Sequence, residues 1–331
     1  MPYLIGTDEA GYGPNLGPLV VSATVWRVDS MHDKDLYARL KGAVRTVADK
    51  NGQEHVNQEN TSEAPIVIGD SKELYKPGKG LAGLEQGVFT CLAAAKKKPR
   101  TWRTMFKALA KDDCSCLEEL PWYRDFNDKL PVELPKKEVN ARAATLLSAC
   151  EKANCVPTRI ASRVVFPHRF NEMCETYGNK ASALSQTTLQ LLRSVLVDLP
   201  EDEQVYVLCD KHGGRNKYGP LLNDVFPETL AVVREESRLE SIYHLGSGKK
   251  RRELVFRAKG DAGFLPTALA SMVSKYLREI AMRAFNAYWA EQVADLKPTA
   301  GYPGDAKRFK KNIEPAQKKL GIDDHVLWRS R

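Results

Sequence analysis

The opening of the chain alternates between apolar runs and glycine-rich punctuation. Leu4 and Ile5 lead a strand-like run over residues 3–9, and Leu19, Val20, Val21, Ala23 and Val25 form a second over residues 16–26. Gly11, Gly13, Pro14, Asn15 and Gly17 between them are turn chemistry, so the pair is expected to be a hairpin. "IVIGDSKEL" predicts a short strand ending at Gly69 and Asp70, and residues 81–95 a helix. Over residues 181–200, Leu184, Leu189, Leu191, Leu192 and Val195 supply the apolar side of another helix, which Pro200 ends. "QVYVLCD" reads as a strand terminating at Asp210, and "ELVFRAKGD" as one terminating at Asp261. Pro266 opens a long helix to about Trp289, with Leu269, Val273, Tyr276, Ile280 and Ala284 as its buried stripe. The pattern contains no fixed-period repeat.

Three segments resist so direct a reading. Residues 50–64 are polar and aperiodic, and are expected to be a surface loop or a disordered insertion. "KKKPRTWRTMFKALAK" carries seven basic residues and no acidic one. Trp102, Met105, Phe106 and Leu109 fall at i, i+3, i+4 and i+7, which suits a helix burying one stripe with its lysines solvated. The competing reading is a basic and aromatic surface for nucleic acid. Residues 112–158, rich in Lys, Glu and Pro, are expected to be an insertion packed on the outside.

Composition narrows the class. With 331 residues, 43% of them hydrophobic, the chain can bury a sizeable core, which excludes disorder throughout. No stretch approaches the roughly 18 uncharged apolar residues of a spanning helix, and the N-terminus lacks an export signal, so a soluble, cytoplasmic protein is expected. Seven cysteines, odd in number and irregularly spaced, read as reduced thiols. Cys114 and Cys116 form a C-x-C without a second Cys/His pair at zinc-site spacing nearby. The formal charge of +8, from 50 Lys+Arg against 42 Asp+Glu, favours a polyanionic partner but names no function alone.

The three strand-like runs that end in acids carry the chemistry: Asp8 with Glu9, Asp210, and Asp261. In open α/β sheets functional groups gather at strand ends, where a rigid sheet holds side chains and loops leave room for a ligand. One such acid alone is an ordinary turn residue or helix cap. Four converging would repel one another unless cations neutralised them. Their hard oxygen ligands suit Mg²⁺ or Mn²⁺. Two such ions, roughly 3.5 to 4 Å apart, activate an attacking water and stabilise the leaving oxygen in phosphodiester cleavage. Successive strand side chains point to opposite faces, so Asp8 and Glu9 share a site only if the pleat breaks near Gly11 or Glu9 uses its longer reach.

"GTDEAGYGPNLGPLVVSATV" resembles the first motif of the ribonuclease HII family (type 2 ribonuclease H), in which an Asp-Glu pair precedes a glycine turn and "GPLV". "GDSKEL", at 69–74, resembles its second motif, and "YVLCD" the strand carrying its third acid. "KGDAGFLPTALASMVSKYLRE", at 259–279, is similar to the Lys-Gly-Asp strand end and following Ala-Ser-rich helix, and "AGYPGDAKRF" to the later glycine-tyrosine motif. The succession runs through most of the chain, interrupted by insertions near 27–64 and 96–160. The resemblance implies an α/β, ribonuclease H-like fold: a mixed five-stranded sheet flanked by helices, one domain over 1–331 with those insertions. It implies divalent-metal endonucleolytic cleavage of RNA joined to or paired with DNA, with Asp8, Glu9, Asp210 and Asp261 as catalytic acids and ligands of two Mg²⁺ or Mn²⁺ ions.

Departures from the family pattern bear on the substrate. Where the family has Gly-Arg-Gly, contacting the ribonucleotide at an RNA/DNA junction, this chain has Gly11, Tyr12 and Gly13, and a planar multi-donor contact is lost. Tyr302 matches the family's substrate tyrosine, but the Thr and His that follow it there are replaced, and Glu279 stands where an Asp closes the helix motif. Gly213, Gly214 and Arg215, just after Asp210, offer backbone amides and a guanidinium as compensation. Lys72 is a further candidate for a phosphate contact. His212 is expected to be an exposed loop residue. "GSGKKRREL", at 246–254, lacks the G-x-x-x-x-G-K-[ST] spacing and reads as a basic hairpin turn. Two rivals stand beside the hybrid nuclease: a nuclease of the same fold with a shifted target such as branched nucleic acid, and a nucleic-acid-binding protein without catalysis. The four acids speak against the second, since without metal they would repel a phosphate backbone. Nucleic acid is the expected partner of a monomer with no membrane contact. With its first acid at position 8 and its end soon after "LWRSR", the chain is expected to bind substrate through its core and insertions.

Overall fold

Tyr3–Ala10 (β1) and Leu19–Val28 (β2) form the expected hairpin, paired from Tyr3 opposite Arg27 to Ala10 opposite Val20. They lie in a computed structural model that describes residues 1–47, 64–76, 78, 80–246, 251–260 and 263–330. The further strands are Val44–Arg45 (β3), Ile66–Val67 (β4), Cys155–Val165 (β5), Val205–Asp210 (β6), Ala231–Glu236 (β7), Glu240–Leu245 (β8) and Arg252–Arg257 (β9). A seven-stranded sheet has the order β5-β2-β1-β6-β9-β8-β7, and β3 and β4 pair separately. β1, β6 and β9 are mutually parallel, while β2 is antiparallel to both β1 and β5. The class is therefore the expected one, a mixed α/β sheet flanked by helices. The two strands beyond five are β7 and β8, which extend the β9 edge by antiparallel hairpins.

Strict alternation along the central strands fills both faces. Leu4, Val20, Trp26 and Leu208 enter one apolar cluster, and Ile5, Leu19, Val21, Val25, Val207 and Cys209 the other. The first face is covered by the helix Leu265–Gln292, which lies directly on β1: a Cβ on Gly6 would come within 2.0 Å of the Thr267 backbone nitrogen. Hydroxyls fix this close packing. Thr267 donates to the Leu208 carbonyl (3.0 Å), Thr24 to the Pro266 carbonyl (2.7 Å), and Ser274 to the Asp8 carbonyl (3.0 Å). The Ala-Ser-rich sequence of this helix is thus the price of backbone proximity. The second face is covered by Lys180–Leu196 and Gly219–Val225.

The basic and aromatic stretch resolves in favour of a buried stripe. Trp102–Leu109 is a helix with a Thr101/Thr104 capping box, and Trp102, Met105, Phe106 and Leu109 are buried. The expectation that residues 112–158 pack on the outside is overturned. Trp122, Tyr123, Leu130 and Leu146 are buried in the same apolar cluster as Leu4, and the Trp122 ring meets Phe285 of the long helix edge-on at 5.2 Å. Lys, Glu and Pro are frequent there, but most of the leucines and aromatic side chains between them are buried, and their apolar area decides the packing.

Other boundaries moved. The strand expected to end at Asp261 ends at Arg257, because Ala258 and Lys259 turn, Lys259 with φ 59°, and Gly260 follows in a helical turn. Asp70 ends no strand; it caps the helix Ser71–Leu74, accepting from the Lys72 backbone N–H at 2.9 Å. β8 and β9 pair antiparallel, and residues 247–250 of the expected basic turn, most of the 50–64 segment and Asp261 lie outside the described residues. All seven cysteines are free thiols. Among the described residues no helix is long and apolar enough to cross a membrane.

Candidate active site at the strand ends

Thr7 of β1 lies opposite Cys209 of β6 in a parallel register, so Asp8 and Asp210 are the next residues along two adjacent strands. Alternation puts them on one face. Leu4 and Leu208, an even number of residues earlier, belong to the cluster beneath the long helix, whereas Ile5 and Cys209 belong to the opposite cluster. Both carboxylates are partly buried. The Gly260 backbone N–H donates to Asp210 Oδ1 at 3.2 Å, which ties the residue immediately before Asp261 to the end of β6.

Glu9 is different. The β1–β2 ladder stays regular through Ala10, so the pleat does not break ahead of Gly11 and Glu9 begins on the Ile5 face. Its charge raises the pKa of Tyr12, second to burial, while the Cys209 thiol is pushed up to about 12 by desolvation, with smaller contributions from Asp210 and then Glu9. Among the described residues Asp8, Glu9 and Asp210 do not bring three ligand atoms within 4.8 Å of one another. As donors, Asp8 and Asp210 fit a hard divalent ion: two carboxylates on one face of adjacent strand ends.

Two buried arginines shape the turn after these acids. Gly11 has φ +87°, and a Cβ there would meet Arg278 Nε and the Pro18 carbonyl, each at 2.5 Å. Arg278, on the long helix, donates to the carbonyls of Leu16 (3.3 Å) and Ala300 (3.0 Å). Arg329 donates to Pro14 (3.0 Å) and Tyr12 (3.2 Å) carbonyls, and desolvation pulls its pKa down to about 9. Neither arginine was singled out in the sequence; Arg278 sits in an otherwise apolar helical stripe, and nothing local marks Arg329.

The expected substrate contacts divide between the two faces. Tyr12 is partly buried, with the Lys180 ammonium 4.9 Å from its ring centroid and its hydroxyl 3.3 Å from where a Gly213 Cβ would stand. Arg215 donates to Ser182 Oγ at 3.0 Å and lies close enough to oppose the upward shift of the Tyr12 pKa. Glu9, Tyr12, Lys180, Gly213 and Arg215 therefore form one neighbourhood. Gly13 is exposed and faces the Tyr302 ring, whose Cε1 would be 3.9 Å from a glycine Cβ; Tyr302 itself is 52% exposed. Lys72 is exposed on a short helix that docks to the long one through Ser71 and Ser271 hydroxyls (3.0 Å). Glu279 is engaged elsewhere, accepting from Tyr75 (2.8 Å) and Lys275 (2.6 Å).

His212 overturns its expectation. It is 2% exposed, its Nδ1 3.1 Å from Ser185 Oγ, and its ring lies against Tyr218 and Phe256. Burial drives its pKa down to about 3, so it is neutral and structural.

No family model matches the chain, and no curated protein does. Solved structures do. The chain is similar to the ribonuclease H2 of Pyrococcus horikoshii, with 14% identity, a TM-score of 0.43, and coverage of 98% of this chain and 92% of that one. For the ribonuclease HII of Archaeoglobus fulgidus, solved with PCNA, the values are 14%, 0.41, 99% and 94%. For Bst ribonuclease HIII in complex with Mn²⁺ they are 14%, 0.39, 99% and 66%.

Proposed function

We propose that this protein is a divalent-metal-dependent endonuclease with a ribonuclease H-like fold, hydrolysing the RNA strand of RNA/DNA hybrids or ribonucleotides embedded in DNA. The observation that carries the reading is the pairing of Asp8 and Asp210 on one face at the ends of adjacent parallel strands, with the Gly260 amide binding Asp210 just before Asp261. Asp8, Glu9, Asp210 and Asp261 would hold Mg²⁺ or Mn²⁺. Bound there, the ions supply a water of lowered pKa and neutralise charge developing on the phosphate.

The chain's own residues do the rest. The Gly260 amide and the parallel ladder hold Asp210 in place before substrate arrives, and the Ser274 bond to its carbonyl does the same for Asp8. Arg329, bonded to the Tyr12 carbonyl, and Arg278, bonded to those of Leu16 and Ala300, fix the glycine turn past which a sugar-phosphate chain would run. Tyr302 and Tyr12 offer ring faces, and Lys72, Lys180 and Arg215 cationic groups, to a polyanion. In this reading residues 1–331 act as one domain, with the insertions near 27–64 and 96–160 built into it.

A cleavage panel tests the proposal: a duplex with one ribonucleotide, an all-RNA strand on DNA, and a branched DNA, each with Mg²⁺, Mn²⁺ or EDTA. Cutting of either ribonucleotide substrate that EDTA abolishes supports it. Cutting of the branched DNA alone supports the same-fold nuclease with a shifted target, for which Tyr12 in the family's Arg position is the motivating observation. Binding without cutting in either metal overturns the catalytic reading.

A further inference from the structure

Away from the strand-end acids, the segment that follows the aromatic helix carries a second set of metal-type donors. Cys116 and Glu119 are the first and last residues of a one-turn helix, and His168 lies in the first turn of the helix Pro167–Tyr177. A sulfur, a carboxylate oxygen and an imidazole nitrogen from these three residues all lie within 4.8 Å of one another. His168 Nε2 is 3.6 Å from Glu119 Oε2. Cys116 is buried, and the His168 side chain is 13% exposed.

The histidine is the independent observation. Both of its ring nitrogens are shielded from solvent, and neither has a hydrogen-bond partner. A buried polar atom left so costs about 1–3 kcal/mol and calls for an explanation. Hydrophobic packing alone would favour another residue there. We propose that Cys116, Glu119 and His168 form a Zn²⁺ site, with a water in the fourth position.

Donor chemistry selects the ion. Thiolate and imidazole with one carboxylate suit Zn²⁺, whereas the all-oxygen strand-end acids suit Mg²⁺ or Mn²⁺. Zinc–ligand distances of about 2.0–2.3 Å in a tetrahedron set donors roughly 3.3–3.7 Å apart. The His168–Glu119 separation already falls there, and the solvent-facing Glu119 side chain has freedom to close the rest. Desolvation lowers the His168 pKa and keeps the imidazole neutral, the form that ligates. Burial and the neighbouring Glu119 raise the Cys116 pKa, partly opposed by Arg169, so the thiol would give its proton to solvent only as the ion binds. The ion would staple the turn before Trp122 to the corner where β5 meets the next helix.

The test uses full-length protein stripped with EDTA, then titrated with Zn²⁺ against a chromophoric chelator and with Co²⁺ as a spectroscopic probe, both in excess Mg²⁺ to fill hard-ligand sites. The expected result is one equivalent of Zn²⁺, a thiolate-to-Co²⁺ charge-transfer band, and a melting temperature raised by about 2–5 °C with Zn²⁺. Cys116→Ser removes the band, His168→Gln weakens binding at least about tenfold, and Cys114→Ser changes neither. If Cys116→Ser does not fold, the wild-type band and its weakening in His168→Gln decide the matter. Substoichiometric uptake, no band in the wild type, or a band that survives in Cys116→Ser overturns the site. None of these readouts depends on nuclease activity, so the zinc site stands or falls apart from the proposed function.

Discussion

Basic and aromatic side chains come together twice in this chain, around Tyr12 and Arg215 at the ends of β1 and β6, and again from Lys96 to Lys111. In the first place the ring is only partly buried, an ammonium and a guanidinium stand near it, and the backbone beside it is glycine. In the second, Trp102 and Phe106 are fully buried and pack against each other at 5.1 Å, leaving lysines in water. The difference follows from the elements. A strand buried on both faces can show a ligand only its end, so its terminal residues and turn carry the chemistry. A surface helix has a whole solvated side, and lysines there are what an amphipathic helix requires. Basic and aromatic composition therefore says little until the element beneath it is known.

The sharpest way to break the comparison is at the strand end. Asp210→Asn keeps an oxygen that can accept from Gly260 and removes the charge that would hold a metal ion. Cleavage should fall at least about 10³-fold, roughly 4 kcal/mol of transition-state stabilisation, with substrate affinity kept or increased. Single-turnover rates with a binding titration on the same variant check this, and a wild-type rate in Mg²⁺ would remove Asp210 from the reaction. On the other side, Trp102→Ala should cost about 3 kcal/mol or more of stability in urea unfolding. Nucleic-acid affinity per folded molecule should not change. A selective loss of affinity would restore the surface reading of this helix.

An effect of intermediate size comes from the histidine between the two regions' chemistries. His212 has a pKa near 3 in the fold against an ordinary value of about 6.5, so the unfolded chain binds the extra proton as pH falls from 6.5 towards 3. Its contribution is fully retained above pH 6.5 and lost on acidification. Between pH 7 and 5 the loss is about 2 kcal/mol. His212→Gln should flatten the dependence of unfolding free energy on pH in that window, whatever its own cost at pH 7. An unchanged slope would mean that the imidazole is not buried neutral.

What could be read in the sequence was what repeats at short range. Period-2 runs announced β1, β2 and β6, and a period near 3.6 announced the long helix and the Trp102 stripe. The acids at 8 and 210 were legible because they fall in the last residues of β-rich runs, Asp210 closing β6 and Asp8 two residues before the end of β1. What escaped depends on partners far along the chain. Arg329 reaches Pro14 from 315 residues away, and no local pattern marks a guanidinium that must be desolvated to hold a turn. His212 looked like a loop residue because the rings that bury it, Tyr218 and Phe256, come from a helix cap and from β9. The expected end of β9 ran on to the acid at 261 across Ala258, Lys259 and Gly260, which are poor strand formers; a positive φ at Lys259 ends the ladder.

The smallest effect asked of the comparison is the most specific to it. By the resemblance of the first motif Tyr12 stands in the place of an arginine that would present a planar fork to a ribonucleotide; here Arg215 lies near its ring and Arg329 donates to its carbonyl at 3.2 Å. Tyr12→Arg would crowd a third cation against Lys180 and Arg215, partly offset by Glu9, so its effect on stability should stay below about 1 kcal/mol. If the ring lies in the substrate path, the ratio of cleavage rates on a single embedded ribonucleotide and on an all-RNA strand should rise about threefold, because a fork of donors can read one 2′-hydroxyl where a ring face cannot. The ratio is the useful readout, since a merely structural change would move both rates together. An unchanged ratio would put Tyr12 with Trp102, as an aromatic that shapes the protein and never meets the nucleic acid.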